Sequence, residues 1–246
     1  MGSEREDGGR GRLGSTLSGL AVAAGSVLFL GGFVWGAVVY QPYTVPTDSM
    51  TPTVAAGDRV LAQRIDGDRV RRGDVVVFRD ASWGGSPMVK RVVGIGGDEV
   101  ACCGDDGRLT VNGRAVEEPY RAGSGPASPD GFTAEVPDGH LFLLGDERMG
   151  SLDSRTRLAD PGQGSVPRSA VTGRLDAVAW PLGRGVIERP EGFAELPGGI
   201  SEPGPVRLVL SSVIAGAVLI VGGALYGPVA RRAARGRAGR AAAGVR

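Results

Sequence analysis

Two uncharged apolar stretches, residues 17–40 and 208–226, constrain the fold of this chain more than any other feature. A helix needs about 20 apolar residues to cross the hydrocarbon core of a bilayer, and both stretches approach or exceed that length. The first is too long for the apolar part of a cleavable signal peptide, which has roughly 7 to 15 residues, so it is expected to be retained as an anchor. The sequence therefore predicts two transmembrane helices with a domain between them.

Arginines on the outer flanks of the two stretches predict the orientation in the membrane, because short basic segments stay in the cytoplasm. These residues are Arg5, Arg10, Arg12, Arg231, Arg232, Arg235, Arg237 and Arg240. We therefore expect cytoplasmic tails at residues 1–16 and 227–246. An extracytoplasmic domain is expected at residues 41–182, followed by a Gly- and Pro-rich linker at 183–207.

Between the two stretches the apolar residues form short valine-rich runs separated by glycine and aspartate, a pattern typical of a mostly β domain. The predicted strands are residues 59–65, 75–79, 89–95, 140–144 and 172–180. Asn112 and Gly113 predict a hairpin with a type I′ turn. Residues 121–139 are rich in Gly and Pro and are expected to form a surface excursion.

The composition bounds the ligands that the chain is expected to bind. Its 28 basic and 27 acidic residues balance, so nucleic acid is not an expected partner. No metal-ligand spacing is present, and neither a metal nor a cofactor is expected. The adjacent Cys102 and Cys103 leave two interpretations open. They form a vicinal disulfide in an oxidising compartment, or they are two small apolar residues at a strand end or turn.

Lys90 is the only lysine in the chain and stands in an apolar run. An arginine stays protonated in a protein, whereas a desolvated lysine can lose its proton and act as a base. In a strand Lys90 shares a face with Met88 and Val92, and Arg91 points the other way. A general bias toward arginine would explain the rarity equally well, so a catalytic role requires a partner nucleophile.

The candidate nucleophile is Ser49, which lies nine residues after Tyr40. At no more than about 3.6 Å per residue, Ser49 is held within roughly 30 Å of the end of the first apolar stretch. A serine nucleophile more often uses a histidine base. His140 is the only histidine, and its place at the start of a predicted strand favours a structural role.

Three blocks in order carry a resemblance to a known family. They read Thr-Asp-Ser-Met-Thr-Pro-Thr at 47–53, Lys-Arg-Val-Val-Gly-Ile-Gly-Gly-Asp at 90–98 and Gly-Asp-Glu-Arg-Met-Gly-Ser-Leu-Asp-Ser-Arg at 145–155. Together with residues 57–61 and 73–78 they closely resemble the bacterial type I signal peptidases, over roughly residues 35–180. The resemblance implies a β-rich catalytic domain with a transmembrane helix at each end. It also implies a membrane-bound Ser/Lys endopeptidase.

The resemblance assigns roles to residues of these blocks. Ser49 is the nucleophile and Lys90 the general base, while the Ser49 backbone N–H and the Thr47 hydroxyl stabilise the oxyanion. Supporting roles fall to Ser151, which hydrogen-bonds the lysine, to the ion pair of Asp153 and Arg155, and to Asp146. Met50 and Pro52 are expected at the substrate. If this third block were extended, Ser151, Asp153 and Arg155 would share one face.

One residue departs from the family pattern, in which Asn usually follows Gly-Asp in the third block. This chain has Glu147 there. A carboxylate that points toward Lys90 would raise the pKa of the amine, since an opposite charge favours the protonated form. We expect Glu147 to point away from Lys90.

The expected substrates are exported preproteins, cut after small residues of the Ala-X-Ala type while bound in extended form at a sheet edge. The expected location is the bacterial cytoplasmic membrane, with both termini in the cytoplasm and the lipid bilayer as the other partner. Two alternatives remain open. One is a Ser/Lys processing peptidase with a single dedicated substrate, and the other is a catalytically inactive, membrane-anchored β module that binds exported chains.

Overall fold

The computed structural model describes residues 4–243, with side chains described for residues 14–229 and for Arg232. The chain divides into a helical unit, built from the segments up to Val38 and from Pro205 onward, and a β-rich unit from Val39 to Gly204. The side chains that predicted the orientation lie outside the described residues, except that of Arg232. They are Arg5, Arg10, Arg12, Arg231, Arg235, Arg237 and Arg240.

The helical unit consists of α1 (Glu4–Val39) and α2 (Val206–Ala243). Within these helices, Gly14–Val39 and Val206–Val229 are long and apolar enough to cross a membrane, with mean hydropathies of 2.0 and 2.4. Small residues let the two helices approach closely. A Cβ on Gly216 would lie 2.5 Å from the backbone nitrogen of Phe29, and Ser18 Oγ donates a hydrogen bond to the Gly223 carbonyl at 2.7 Å.

Twelve antiparallel strands form the β-rich unit. They are β1 (Tyr40–Thr44), β2 (Arg59–Gln63), β3 (Val75–Phe78), β4 (Met88–Ile95), β5 (Glu99–Cys102), β6 (Thr110–Val111), β7 (Arg114–Ala115), β8 (Phe132–Glu135), β9 (His140–Leu144), β10 (Val166–Pro167), β11 (Val171–Trp180) and β12 (Gly185–Val186). The larger sheet has the order β1-β2-β11-β3-β4-β9-β10 with β12 beside β11, and the smaller has the order β7-β6-β5-β8. The mostly β fold is confirmed.

The five strands predicted from the sequence correspond to β2, β3, β4, β9 and β11. The predicted hairpin forms between β6 and β7. Asn112 and Gly113 have φ values of 54° and 73°, as a type I′ turn requires at both central positions. Outside α1 and α2, the helices among the described residues are short 3₁₀ turns. Cys102 and Cys103 form a disulfide, which decides between the two interpretations of that pair.

Two Gly- and Pro-rich segments are more ordered than their composition predicts. Residues 121–139 contain β8, and Ala127 and Ser128 within them are buried, so this segment is only partly a surface excursion. The interpretation of residues 183–207 as a linker was wrong for most of their length. They contain β12 and the fully buried Phe193, and the β-rich unit continues to Gly204. The turn residues here separate short runs that pack on the core.

Candidate active site

The hydroxyl of Ser49 and the amine of Lys90 lie in direct contact. Lys90 Nζ donates a hydrogen bond to Ser49 Oγ over 2.7 Å. Ser49 lies in the segment between β1 and β2, where Thr51 N donates to the Asp48 carbonyl at 2.9 Å to close a turn. Met50 on this turn is only 1% exposed. The buried Met50 therefore anchors the turn that presents Ser49.

The position of Lys90 follows from the ends of the strands around β4. Lys90 pairs with Val76 on β3, whereas the pairing of β4 with β9 begins only at Arg91 and Leu144. Met88 and Val92, on the face predicted for Lys90, pack in one core cluster with Val76. Because β9 ends early, the edge of β4 beside Lys90 is open to the segment that carries Ser49.

Burial determines the protonation of Lys90, which is only 3% exposed. Desolvation lowers the pKa of its amine from 10.5 to about 8, and the nearby carboxylates of Asp153 and Asp146 oppose this shift. At pH 7 about a tenth of the amine is neutral, since the pH is then about one unit below the pKa. A neutral Lys90 amine can accept a proton from the Ser49 hydroxyl.

Gly145 brings the third block against Ser49. A Cβ at this position would lie 2.5 Å from the Ser49 carbonyl oxygen and 2.2 Å from Ser151 Oγ, so only glycine fits without a shift. The next residues continue the contact, because Glu147 N donates a hydrogen bond to the Ser49 carbonyl at 3.1 Å. The backbone around Ser49 is therefore held by the loop that follows β9.

The carboxylate of Asp153 is fully buried and holds this loop together. It accepts hydrogen bonds from Gly145 N at 3.0 Å and from Arg155 Nε and Nη2, both at 2.8 Å. The third block is not extended, because Asp153 caps a 3₁₀ helix from Ser154 to Arg157. The shared face expected for an extended segment is therefore absent, but the ion pair forms directly.

The carboxylate of Asp146 forms a second buried pair, with Arg91. Arg91 Nε and Nη2 donate to its two oxygens at 2.8 and 2.7 Å, and Thr53 Oγ1 donates to Asp146 Oδ2 at 2.5 Å. Arg91 and Thr53 had no role in the sequence analysis. Both residues lie in the first two motif blocks, Arg91 next to Lys90 and Thr53 near Ser49. Those positions were the sequence signal for a role at the site.

A small apolar cleft opens beside Ser49 and Lys90, with a volume of about 100 Å³. It is lined by Val45, Pro46, Thr47, Ser49, Met50, Pro87, Met88, Val89 and Lys90. Thr47 Oγ1 donates a hydrogen bond to Ser49 Oγ at 3.3 Å. Met50 lines this cleft, whereas Pro52 lines a different cavity with Thr53 and Arg91.

Comparison with known proteins matches residues 17–180 to the family described as "Signal peptidase, peptidase S26". The chain belongs to this signal peptidase family. It is 34% identical over 155 residues to signal peptidase I U of Bacillus subtilis (strain 168), covering 59% of this chain and 79% of that protein. Signal peptidase I of Mycobacterium tuberculosis (strain ATCC 25618 / H37Rv) is 31% identical over 225 residues, covering 70% of this chain and 76% of that protein.

A crystal structure of a signal peptidase I from Enterococcus faecalis V583 is also similar in sequence, at 28% identity over 43% of this chain and 95% of that one, with a TM-score of 0.35. Peptidase S26 signal peptidases are membrane-bound serine endopeptidases, so this chain is an enzyme of that class. The two apolar helices fit a membrane protein.

The structure also places Ser151 of the third block and His140, which lies outside the three blocks. Ser151 Oγ is buried, and it forms no hydrogen bond with any residue that the structure describes, so the implied bond to Lys90 is not made here. His140 Nδ1 shares a hydrogen bond with the Asp138 carbonyl at 3.0 Å, at the start of β9. That contact fits the structural role expected of His140.

If Lys90 is the general base, the activity of this chain is expected to rise with pH through a midpoint near 8, the pKa of Lys90. Only the neutral amine serves as a base, so kcat/KM falls about tenfold per pH unit below that value. The pKa of Lys90 can also be measured directly. Lys90 is the only lysine, so lysine labelled with ¹³C and ¹⁵N gives one side-chain signal to titrate by NMR. A midpoint near 10.5, the ordinary lysine value, would contradict this assignment.

Replacing Glu147 with asparagine, the usual signal peptidase residue, is expected to leave the pKa of Lys90 within about 0.3 of its original value. The carboxylates that raise this pKa are Asp153 and Asp146, whereas Glu147 Oε1 accepts from Met149 N at 3.3 Å. The pH profile and the Lys90 titration of the Glu147→Asn variant check this. A clear drop in the Lys90 pKa would mean that Glu147 acts on the amine after all.

Proposed function

We propose that the chain is a signal peptidase I that removes N-terminal signal peptides from exported preproteins, with Ser49 as nucleophile and Lys90 as general base. The observation that carries this proposal is the 2.7 Å contact between Ser49 Oγ and the amine of Lys90. Burial supports the same roles, because it lowers the pKa of Lys90 to about 8 and so makes a neutral base available.

The reaction is a two-step acyl transfer. Neutral Lys90 takes the proton from Ser49 Oγ as that oxygen attacks the carbonyl carbon of the scissile bond. The Ser49 backbone N–H and the Thr47 hydroxyl stabilise the negative oxygen of the tetrahedral intermediate. The Lys90 ammonium then protonates the leaving amine, and the C–N bond breaks. Neutral Lys90 next takes a proton from a water molecule as the water oxygen attacks the acyl carbon. The ester C–O bond to Ser49 Oγ then breaks, and the Lys90 ammonium returns the proton to that oxygen.

The supporting roles follow from contacts around this pair. Asp153, held by Arg155, and Asp146, held by Arg91, stabilise the ammonium form of Lys90 that arises in each step. Ser151 Oγ is buried beside Gly145 and has no hydrogen-bond partner among the described residues, which leaves its oxygen available to the ammonium of Lys90. These are positioning roles, since none of these side chains is proposed to contact the scissile bond.

Substrate preference follows from the cleft beside Ser49. A volume of about 100 Å³ with apolar walls suits the methyl group of alanine and excludes large side chains. Met50 forms one wall. The edge of β4 from Met88 to Lys90, which pairs only with β3, offers hydrogen-bonding groups to an extended peptide. Pro52 lines the neighbouring cavity, and we propose that any contact between Pro52 and the substrate is made there.

We also propose that α1 and α2 are both transmembrane, that both termini are cytoplasmic and that the β-rich unit is extracytoplasmic. The flanking arginines support the orientation through the preference of basic segments for the cytoplasm. The catalytic domain is taken as residues 39–204 rather than 41–182, because the segment after residue 182 belongs to the β-rich unit. The bacterial cytoplasmic membrane is the location that fits this arrangement.

The test is cleavage of purified preproteins by the full chain in detergent, followed by mass spectrometry of the products. A panel of unrelated signal peptides is compared with versions that carry leucine at the position before the cut. We expect one cut after alanine in most members, none after leucine, and no product from the Ser49→Ala variant. Cleavage of a single member would favour a dedicated processing peptidase. Absence of cleavage throughout the panel would contradict the proposal.

A further inference from the structure

We propose that Glu118 and Tyr120 are positioning residues for catalysis, and that they act through Arg148 and Arg91. Both residues lie outside the three motif blocks and precede the third by more than twenty positions. The proposal rests on the function proposed above, because it concerns the geometry of Ser49 and Lys90. We call Glu118 and Tyr120 the brace.

The first arm of the brace joins Glu118 to Arg148. Both carboxylate oxygens bind the guanidinium, with Oε2 accepting from Arg148 Nη1 at 3.0 Å and Oε1 from Nη2. The two side chains are 3% and 2% exposed, so this pair is screened from water. Arg148 in turn donates from Nε to the Gly145 carbonyl at 2.8 Å. Glu118 thereby fixes the arginine that holds the backbone of Gly145.

The second arm joins Tyr120 to Arg91. The Arg91 guanidinium lies over the tyrosine ring, 3.8 Å from its centroid, a distance at which the ring attracts a cation. The Tyr120 hydroxyl donates to Glu118 Oε1 at 2.7 Å, which links the two arms. Burial raises the pKa of Tyr120 well above 10, so the hydroxyl keeps its proton throughout the working pH range.

The two arms meet at consecutive residues of the loop that follows β9, which we call the catalytic loop. Arg148 holds the carbonyl of Gly145, and Arg91 holds the carboxylate of Asp146. Gly145 lies against the Ser49 carbonyl, and Asp146 is one of the two carboxylates that act on Lys90. A shift of Gly145 would therefore displace Ser49, and a shift of Asp146 would change the charge surroundings of Lys90. Such misplacement by about 1 Å can cost roughly 100-fold in rate.

The decisive variant is Glu118→Gln, which keeps the size of the side chain and removes its charge. We expect kcat to fall by about 10- to 100-fold while KM stays within about threefold, because the loop and not the substrate cleft is disturbed. The pKa of Lys90 is expected to fall. The cause is the positive charge of Arg148 and of Arg121, which both lose their pairing with Glu118 and then disfavour a further cation nearby.

The tyrosine is tested by a matched pair of variants. Tyr120→Phe keeps the ring under Arg91 and loses only the hydroxyl, whereas Tyr120→Leu loses both. We therefore expect a smaller loss of kcat in the first variant than in the second. Glu117→Gln is the control, because Glu117 is next to Glu118 but its side chain is 80% exposed. It should retain kcat, KM and the Lys90 titration of the original chain.

A double variant tests whether Glu118 acts through Arg148. If it does, adding Glu118→Gln to Arg148→Gln should lower kcat little further, because Arg148→Gln has already removed the partner of Glu118. Additive losses of kcat would mean that Glu118 acts by another route. That outcome would overturn this arm of the proposal.

A purely structural role for the brace has a different signature. The variants would then melt at lower temperature, but the folded enzyme would keep its kcat and the NMR titration of Lys90 would be unchanged. That result would overturn the proposal. The titration also separates the brace from the proposed function, because it needs no substrate. If no preprotein is cleaved, the function fails, while a lowered Lys90 pKa in Glu118→Gln still supports the brace.

Discussion

Replacing Lys90 with arginine is expected to lower kcat roughly 10²- to 10⁴-fold, the range associated with loss of a general base. Arginine keeps the positive charge, but its guanidinium stays protonated and cannot accept the proton of Ser49. The measurement is cleavage of a preprotein at pH 8, with circular dichroism to verify that the variant folds. Retention of more than about a tenth of the activity would identify a different base.

Chemical rescue provides the matched control for this variant. Both native cysteines are in a disulfide, so a Lys90→Cys variant has one free thiol among the described residues. Alkylation with 2-bromoethylamine attaches an aminoethyl group to that sulfur and recreates an amine at the position of Nζ. We expect the alkylated variant to regain activity and the untreated variant to lack it. If Lys90→Arg and untreated Lys90→Cys are both inactive and alkylation restores activity, cleavage requires a basic amine at this position.

Replacing Gly145 with alanine is expected to lower kcat about 100-fold or more, although the residue carries no side chain. The added Cβ would lie 2.5 Å from the Ser49 carbonyl oxygen and 2.2 Å from Ser151 Oγ, so the catalytic loop and the turn of Ser49 must separate. A displacement of about 1 Å is enough for a loss of this size. Overpacking should also destabilise the fold by about 1 to 3 kcal/mol. Cleavage assays and thermal unfolding measure the two effects.

Gly150→Ala is the control for this substitution, because it lies in the same loop. The nearest atom to a Cβ at this position is Glu147 Cγ, at 4.0 Å, which is an ordinary contact. We expect this variant to cleave preproteins at nearly the original rate. If Gly145→Ala were equally active, the close approach of the loop to Ser49 would not be required for catalysis.

Local patterns predicted much of the fold and two residues of the candidate site. The valine-rich run at residues 89–95 predicted the strand β4. Side chains alternate along a strand, and this predicted that Lys90 shares an apolar face with Met88 and Val92. Asn112 and Gly113 predicted their hairpin for a similarly local reason, since both adopt positive φ. The order of the motif blocks placed Ser49 and Lys90 in one site, and their hydrogen bond agrees with that expectation.

The errors arose where contacts over long sequence separations decided the structure. Residues 183–204 have the composition of a linker, yet Phe193 is buried and Arg189 binds the buried Asp176. Glu118 and Tyr120 look like ordinary surface residues in the sequence. Their partners, Arg148 and Arg91, are about thirty positions away in opposite directions, and no periodic pattern links them.

The sequence by itself determined the two apolar helices, the β pattern between them and the chemical types at the site, a serine and a lone lysine. Length, periodicity and residue chemistry are local properties, so they can be read from neighbours along the chain. Only the tertiary structure decided that Lys90 lies 2.7 Å from Ser49 and that its pKa falls to about 8. A pKa depends on the water removed and the charges placed around a group, and those are set by residues distant in sequence.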